Sequence, residues 1–191
     1  REICEWRMKQ EDPMIGGEGS VVEVREYFFV RQDNNASRTL QERWMFGGIC
    51  RETKDCFVVH VADLSIETLM PLVKQYIRPG SKIVSDRWQD FRDYSMNGLE
   101  EKNDDDRLSF VNPVTFGNTQ QIEQMWDFYK QGNEQKRGAI WNNMDSYQAE
   151  FIWRKKLNGR DPFEIILQDI VLYHNVNIRF KYYILLMLFK D

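Results

Sequence analysis

Cysteine and histidine are scarce in this chain, which carries three of the first, Cys4, Cys50 and Cys56, and two of the second in 191 residues. An odd number of thiols without C-x-x-C spacing excludes a disulfide framework, and two histidines do not complete a usual zinc set. The thiols are expected to be reduced and partly buried, as in an intracellular protein. Cys50 and Cys56 flank a turn, Arg51 to Asp55, and their side chains are expected close together across two strands. Long apolar runs are also missing. The nearest, Tyr182 to Phe189, is too short to cross a bilayer and is bordered by Arg179, Lys181 and Lys190, so no membrane partner is expected. That segment reads as a buried helix or strand, or as a partner-facing surface. Positive charge is outnumbered, 26 Lys and Arg against 30 Asp and Glu. A net charge of −4 disfavours DNA held along the whole surface and leaves that task to local basic patches. The chain opens on Arg1 rather than Met and is expected to be a fragment of something longer.

What is present argues for a packed fold. Hydrophobic residues make up 42% and aromatics 14%, which excludes disorder, and a single domain of this length removes roughly 70% of its unfolded surface from water. Ile3, Trp6 and Met8 predict a short helix over Arg1 to Lys9, ending before Pro13. Gly16-Gly17-Glu18-Gly19 reads as a plain turn, since no Lys-Ser/Thr follows it for phosphate binding. Val21 to Val30, Arg43 to Cys50 and Cys56 to Val61 are rich in β-branched and aromatic residues and predict an antiparallel three-strand meander. Ser65 caps a helix to about Ile77, stopped by Pro79-Gly80, and Lys82 to Ser85 is a short strand followed by a helix over Arg87 to Tyr94. Asp104-Asp105-Asp106 reads as a solvated loop within the acidic run of Gly98 to Arg107. Helices are expected over Thr119 to Lys130 and Tyr147 to Lys156, and a third begins at Asp161-Pro162. A meander followed by strand, helix and strand predicts an α/β fold, an RNase H-like mixed sheet with parallel strands added and helices on its faces.

Five segments in order carry a family resemblance. Val21-Val22-Glu23-Val24-Arg25-Glu26-Tyr27-Phe28-Phe29 with Glu42-Arg43-Trp44-Met45-Phe46-Gly47-Gly48 is the first. The others are Arg78-Pro79-Gly80-Ser81-Lys82-Ile83-Val84-Ser85-Asp86-Arg87-Trp88, Phe110-Val111-Asn112-Pro113, Asn118-Thr119-Gln120-Gln121-Ile122-Glu123-Gln124-Met125-Trp126, and Glu150-Phe151-Ile152-Trp153-Arg154. Together they resemble the ISXO2-like group of DDE transposases over nearly the whole chain. The resemblance implies an N-terminal helix and Gly-rich linker over 1–20, a transposase-derived core over 21–160 and a C-terminal helical, apolar extension over 161–191. In that family three carboxylates hold two Mg²⁺ ions about 4 Å apart, which activate the attacking oxygen and stabilise the leaving one. Carried over by position, the second carboxylate is Asp86 and the third Glu123, or a neighbouring polar position as in the members that use asparagine, but the first position holds Arg25.

Arg25 changes the expected chemistry. Glu26 is acidic, yet neighbouring strand residues point to opposite faces, so it does not simply take over. Asn118 stands where the family usually has histidine, and the acidic run is expected to replace a strand near the site. Between Asp86 and Glu123, which would repel one another in a partly buried cleft, a guanidinium is expected to bridge both; the alternative is that Arg25 turns outward to solvent, a phosphate or a partner. Trp44, Trp88, Trp126 and Trp153 are expected as core anchors rather than base-stacking platforms.

Three functions compete. The first is a domesticated, catalytically inactive domain that acts as a protein-interaction module or self-associates, in the nucleus or in chromatin, with no cofactor. The second is a non-cutting DNA-binding domain using Lys130, Lys136, Arg137, Arg154, Lys155, Lys156 and Arg160 against phosphates. The third is a metal-dependent nuclease that still takes Mg²⁺ through Asp86, Glu123 and either Glu23 or Glu26 after a register change.

Overall fold

The computed structural model describes residues 1–30, 42–97, 108–116, 119–135 and 144–188. Its contacts gather into two compact units, one of residues 13–144 and one of residues 1–12 with 145–191. The last helix of the expected 21–160 core therefore groups with the two ends of the chain.

The larger unit is built on five strands in the order β3-β2-β1-β4-β5. β1 (Val21–Val30), β2 (Glu42–Cys50) and β3 (Cys56–Val61) pair antiparallel, while β4 (Lys82–Val84) and β5 (Ser109–Val111) run parallel to β1. This is the expected mixed α/β sheet, and it agrees with an RNase H-like fold. Side chains alternate across it. One face presents Val22, Val24, Phe46, Cys50, Phe57 and Val61, and it packs against Leu69, Met70 and Val73 of α2 (Ile66–Tyr76) and Phe91 of α3 (Trp88–Asn97). The other presents Glu23, Arg25, Tyr27 and Phe29. There α5 (Gln120–Gln135), which follows the single turn of α4 (Pro113–Phe116), lays Trp126 parallel to Tyr27, 5.3 Å between centroids, and Tyr129 edge-on to Phe29 at 5.4 Å.

Local chemistry explains the element ends. Ser65 caps α2 by accepting from Thr68 N at 3.3 Å. Asp63 ties that cap down, accepting from Ser65 N, Ser65 Oγ and Thr68 Oγ1, and the Ser65 bonds hold its carboxyl below the ordinary value. Gly80, at φ 81°, makes the turn from α2 into β4, a backbone shape that L side chains rarely adopt.

Two expectations change. The sheet does have its further strand: β5 begins just past the acidic run, where Phe110 stacks on Phe91 at 5.1 Å, so the charges precede the strand instead of replacing it. The run itself lies outside the described residues. Cys50 and Cys56 do not face one another, because the register sets Cys56 opposite Ile49 and puts the two thiols on opposite faces. All three cysteines are free and buried.

The smaller unit joins α1 (Glu2–Gln10), α6 (Met144–Lys156) and α7 (Pro162–Leu188) around Cys4, Trp153 and Leu157, with Met8, Ile165 and Ile166 against them. Trp153 Nε1 donates to the buried carboxylate of Asp169 at 2.8 Å, and Arg7 pairs with the same group at 3.5 Å. Burial pushes the Cys4 thiol up from its ordinary value. Among the described residues, no helix is long and apolar enough to cross a membrane.

Candidate functional site

The parallel pairing of β1 with β4 sets Glu23 level with Val84, and both strands run on in the same direction. Two residues later Arg25 and Asp86 lie side by side, with Nε 3.5 Å from Oδ2. The third member arrives on α5. Buried Glu23, 1% exposed, accepts from Ile122 N at 2.8 Å, so a strand carboxylate holds one of the N–H groups that a helix start leaves unpaired. Its other oxygen accepts from Arg51 Nε at 2.7 Å. The next residue on α5 is Glu123, whose Oε1 accepts from Arg25 Nη1 at 2.5 Å.

Close approach of α5 depends on β2. Arg25 pairs in register with Gly47, and a Cβ at Gly47 would meet Trp126 Cζ2 at 2.7 Å and Met125 Cε at 3.1 Å. A bare backbone there admits the indole, one turn along α5 from Glu123.

The expected bridge is therefore present, in a more open setting than the expected cleft. Half of the Asp86 and Glu123 side-chain surface stays exposed, at 50% and 54%, and Arg25 keeps 37%. Pairs this accessible contribute about 0–1 kcal/mol each. Their main effect is on charge, since one guanidinium neutralises part of the repulsion between two carboxylates.

These residues do not fit a metal pair. A cation lies between the two acids, and the two candidate substitutes are engaged elsewhere. Glu23 is held by Arg51 and Ile122 N. Glu26 points through the sheet to Arg87, whose Nη1 lies 3.2 Å from Glu26 Oε1 and also donates to Leu64 O at 2.7 Å. Burial alone would lower the Arg87 pKa, but bonding to Asp90 and Glu26 more than offsets this and holds the guanidinium above its ordinary value. β1 keeps an unbroken register with both neighbours, so the shift that would bring either glutamate into place is absent. Among the described residues, no group of three or more His, Cys, Asp or Glu side chains is placed to hold a metal ion.

The basic candidates divide between the units. Lys130 is exposed on α5, and Lys136 and Arg137 lie outside the described residues. Arg154 donates to Glu150 at 3.0 Å and Lys156 to Glu11 at 2.7 Å. Arg160 donates to the carbonyls of Leu157 and Lys156, closing the end of α6. Lys155 sits 5.9 Å above the Phe151 ring. Of the tryptophans, Trp126 and Trp153 are buried and Trp44 packs partly buried against Phe28. Asn118 and the Trp88 side chain lie outside the described set.

Sequence reasoning missed Glu23 as the anchor of α5. The available signal was a glutamate two residues from Arg25 on the same strand face, in a strand otherwise fit for burial. No curated protein and no solved structure matches the chain. The model of the ISXO2-like transposase domain matches residues 9–156, from the first helix through the E-F-x-W-R segment of α6, and the chain belongs to that family.

Proposed function

We propose that this transposase-derived domain has lost its metal-dependent DNA chemistry and works as a non-catalytic protein-interaction module in a nuclear or chromatin-associated assembly. One observation carries the reading: the Arg25 guanidinium lies between Asp86 and Glu123, where the family's chemistry needs carboxylate and metal. A dication about 4 Å from a guanidinium is repelled by about 2 kcal/mol even in bulk water, twice the figure for two unit charges. The site has also lost a ligand. The two surviving acids are left as partners of an internal cation, and the packing around them persists through Glu23, Gly47 and Trp126.

A second reading, a non-cutting DNA-binding domain, draws on the cations gathered in the last turn of α6. It is weaker because Arg154, Lys156 and Arg160 are already bonded within their own unit.

Calorimetric titration with Mg²⁺ and Mn²⁺ tests the first reading. The unaltered protein is expected to give no saturable heat at millimolar metal, and Arg25→Asp to create a measurable site. Metal bound by the unaltered chain sinks the proposal. So does Mn²⁺-dependent nicking of DNA that disappears in Asp86→Ala.

A further inference from the structure

The turn between α6 and α7 holds an asparagine followed by a glycine. Leu157 O accepts from Arg160 N at 3.0 Å, closing a β-turn over residues 157–160, with φ 47° at Asn158 and 84° at Gly159. Positive φ at both central residues marks a type I′ turn. Leu157 is buried in the core of the smaller unit and pins one end of the turn, while Asn158 and Gly159 are exposed. Among the described residues, the peptide that joins those two makes no hydrogen bond: Asn158 O accepts none and Gly159 N donates none. The Asn158 side-chain amide is unbonded as well. Nothing lies within 4 Å of the place a Cβ on Gly159 would take.

That peptide can therefore flip without breaking a bond. The flip converts type I′ to type II′, which keeps the Leu157–Arg160 bond and the sign of φ at Asn158 but takes ψ of Asn158 to about −120° and φ of Gly159 to about −80°. Glycine accepts either sign of φ, and asparagine tolerates the positive one. In the flipped turn Gly159 N lies on the Cβ side of Asn158, within reach of Cγ. We infer that Asn158 is a site of spontaneous deamidation by way of this flipped turn. Gly159 N gives up its proton to hydroxide and bonds to Asn158 Cγ; the Cγ–Nδ2 bond breaks, and Nδ2 takes up a proton from water and leaves as ammonia. Water then opens the five-membered imide. Cleavage of the N–Cγ bond leaves aspartate, and cleavage at the main-chain carbonyl leaves isoaspartate, with an added methylene in the backbone. On either route one water enters, one ammonia departs and a neutral amide becomes a carboxylate.

The product alters a basic surface. Arg154, Lys155 and Lys156 fill the last turn of α6, and the new carboxylate stands two residues from Arg160, where it competes with Leu157 O and Lys156 O for the guanidinium. Negative charge just past a helix C-terminus also opposes the helix dipole. Asn97-Gly98 offers the same dipeptide in sequence, but Gly98 lies outside the described residues.

Peptide mapping by mass spectrometry tests this, with the full chain and a synthetic peptide of residues 150–166 aged side by side at body temperature and mildly alkaline pH. Asn158 of the folded chain is expected to convert to aspartate and isoaspartate within about tenfold of the peptide's rate, a barrier difference of no more than about 1.4 kcal/mol. Conversion is expected to quicken as pH rises, since the attacking nitrogen must lose its proton, and Asn158→Asp marks the aspartyl product. Asn158 still intact in the folded chain when the peptide has converted overturns the inference, as does conversion that begins only once denaturant unfolds the protein. None of these outcomes bears on metal binding at Arg25.

Discussion

Glu23 does more to hold the site together than the residues that carry its ancestry. It is 1% exposed and bonds both to Arg51 and to the backbone of α5, whereas Arg25, Asp86 and Glu123 lie in contact with water. Glu23→Ala leaves Ile122 N without this acceptor and takes a carboxylate from Arg51. Breaking a fully buried pair costs about 3–5 kcal/mol, and Arg51 keeps 21% of its side-chain surface in water, so about 2–4 kcal/mol is expected. Urea unfolding measures this directly. A loss under about 1 kcal/mol would show that water replaces the carboxylate without strain. Arg25→Ala is a useful companion, since its exposed pairs are worth far less.

At the scale of elements, the separation of α5 from the sheet decides whether Glu123 reaches Arg25. Gly47→Ala puts a methyl 2.7 Å from the indole of Trp126 and 3.1 Å from Phe57 O, neither of which is a flexible chain end. Overpacking of this kind costs about 1–3 kcal/mol. The substitution is expected to shift the Trp126 emission and lower the unfolding midpoint; unchanged emission and midpoint would mean that α5 is not seated on Gly47. Legibility followed the same physics. β1 and the cap at Ser65 could be read because a stretch dominated by β-branched and aromatic residues and a hydroxyl before an amphipathic stretch each leave one local choice. Three residues of β5 after an acidic run leave no such pattern, and only its pairing with β4 makes it a strand. The Arg25 bridge could be anticipated because aligned motifs put three charges at known positions. The role of Glu23 could not, since it depends on α5 crossing that face. Cys50 and Cys56 were misplaced for a related reason: closeness in a hairpin says nothing of register, and one residue of offset moves a side chain to the other face.

For the whole molecule, charge sets the limit on nucleic-acid binding. The chain carries −4 and faces a polyanion whose affinity for proteins rises with each phosphate neutralised, with log K falling against log salt by about 0.9 per contact. Arg154, Lys156 and Arg160 are bonded to Glu150, Glu11 and backbone carbonyls, and a phosphate must displace those partners before it gains a contact. Duplex DNA at about 150 mM salt is therefore expected to bind weakly, with a salt slope shallower than about −2, equivalent to no more than two phosphate contacts. Fluorescence anisotropy over a salt series measures both quantities. Reversing Arg154, Lys155 and Lys156 together is expected to change neither by more than about twofold. A slope steeper than about −4 that collapses on that reversal would mean that these cations track a phosphate backbone, and the DNA-binding reading would then displace the protein-interaction one.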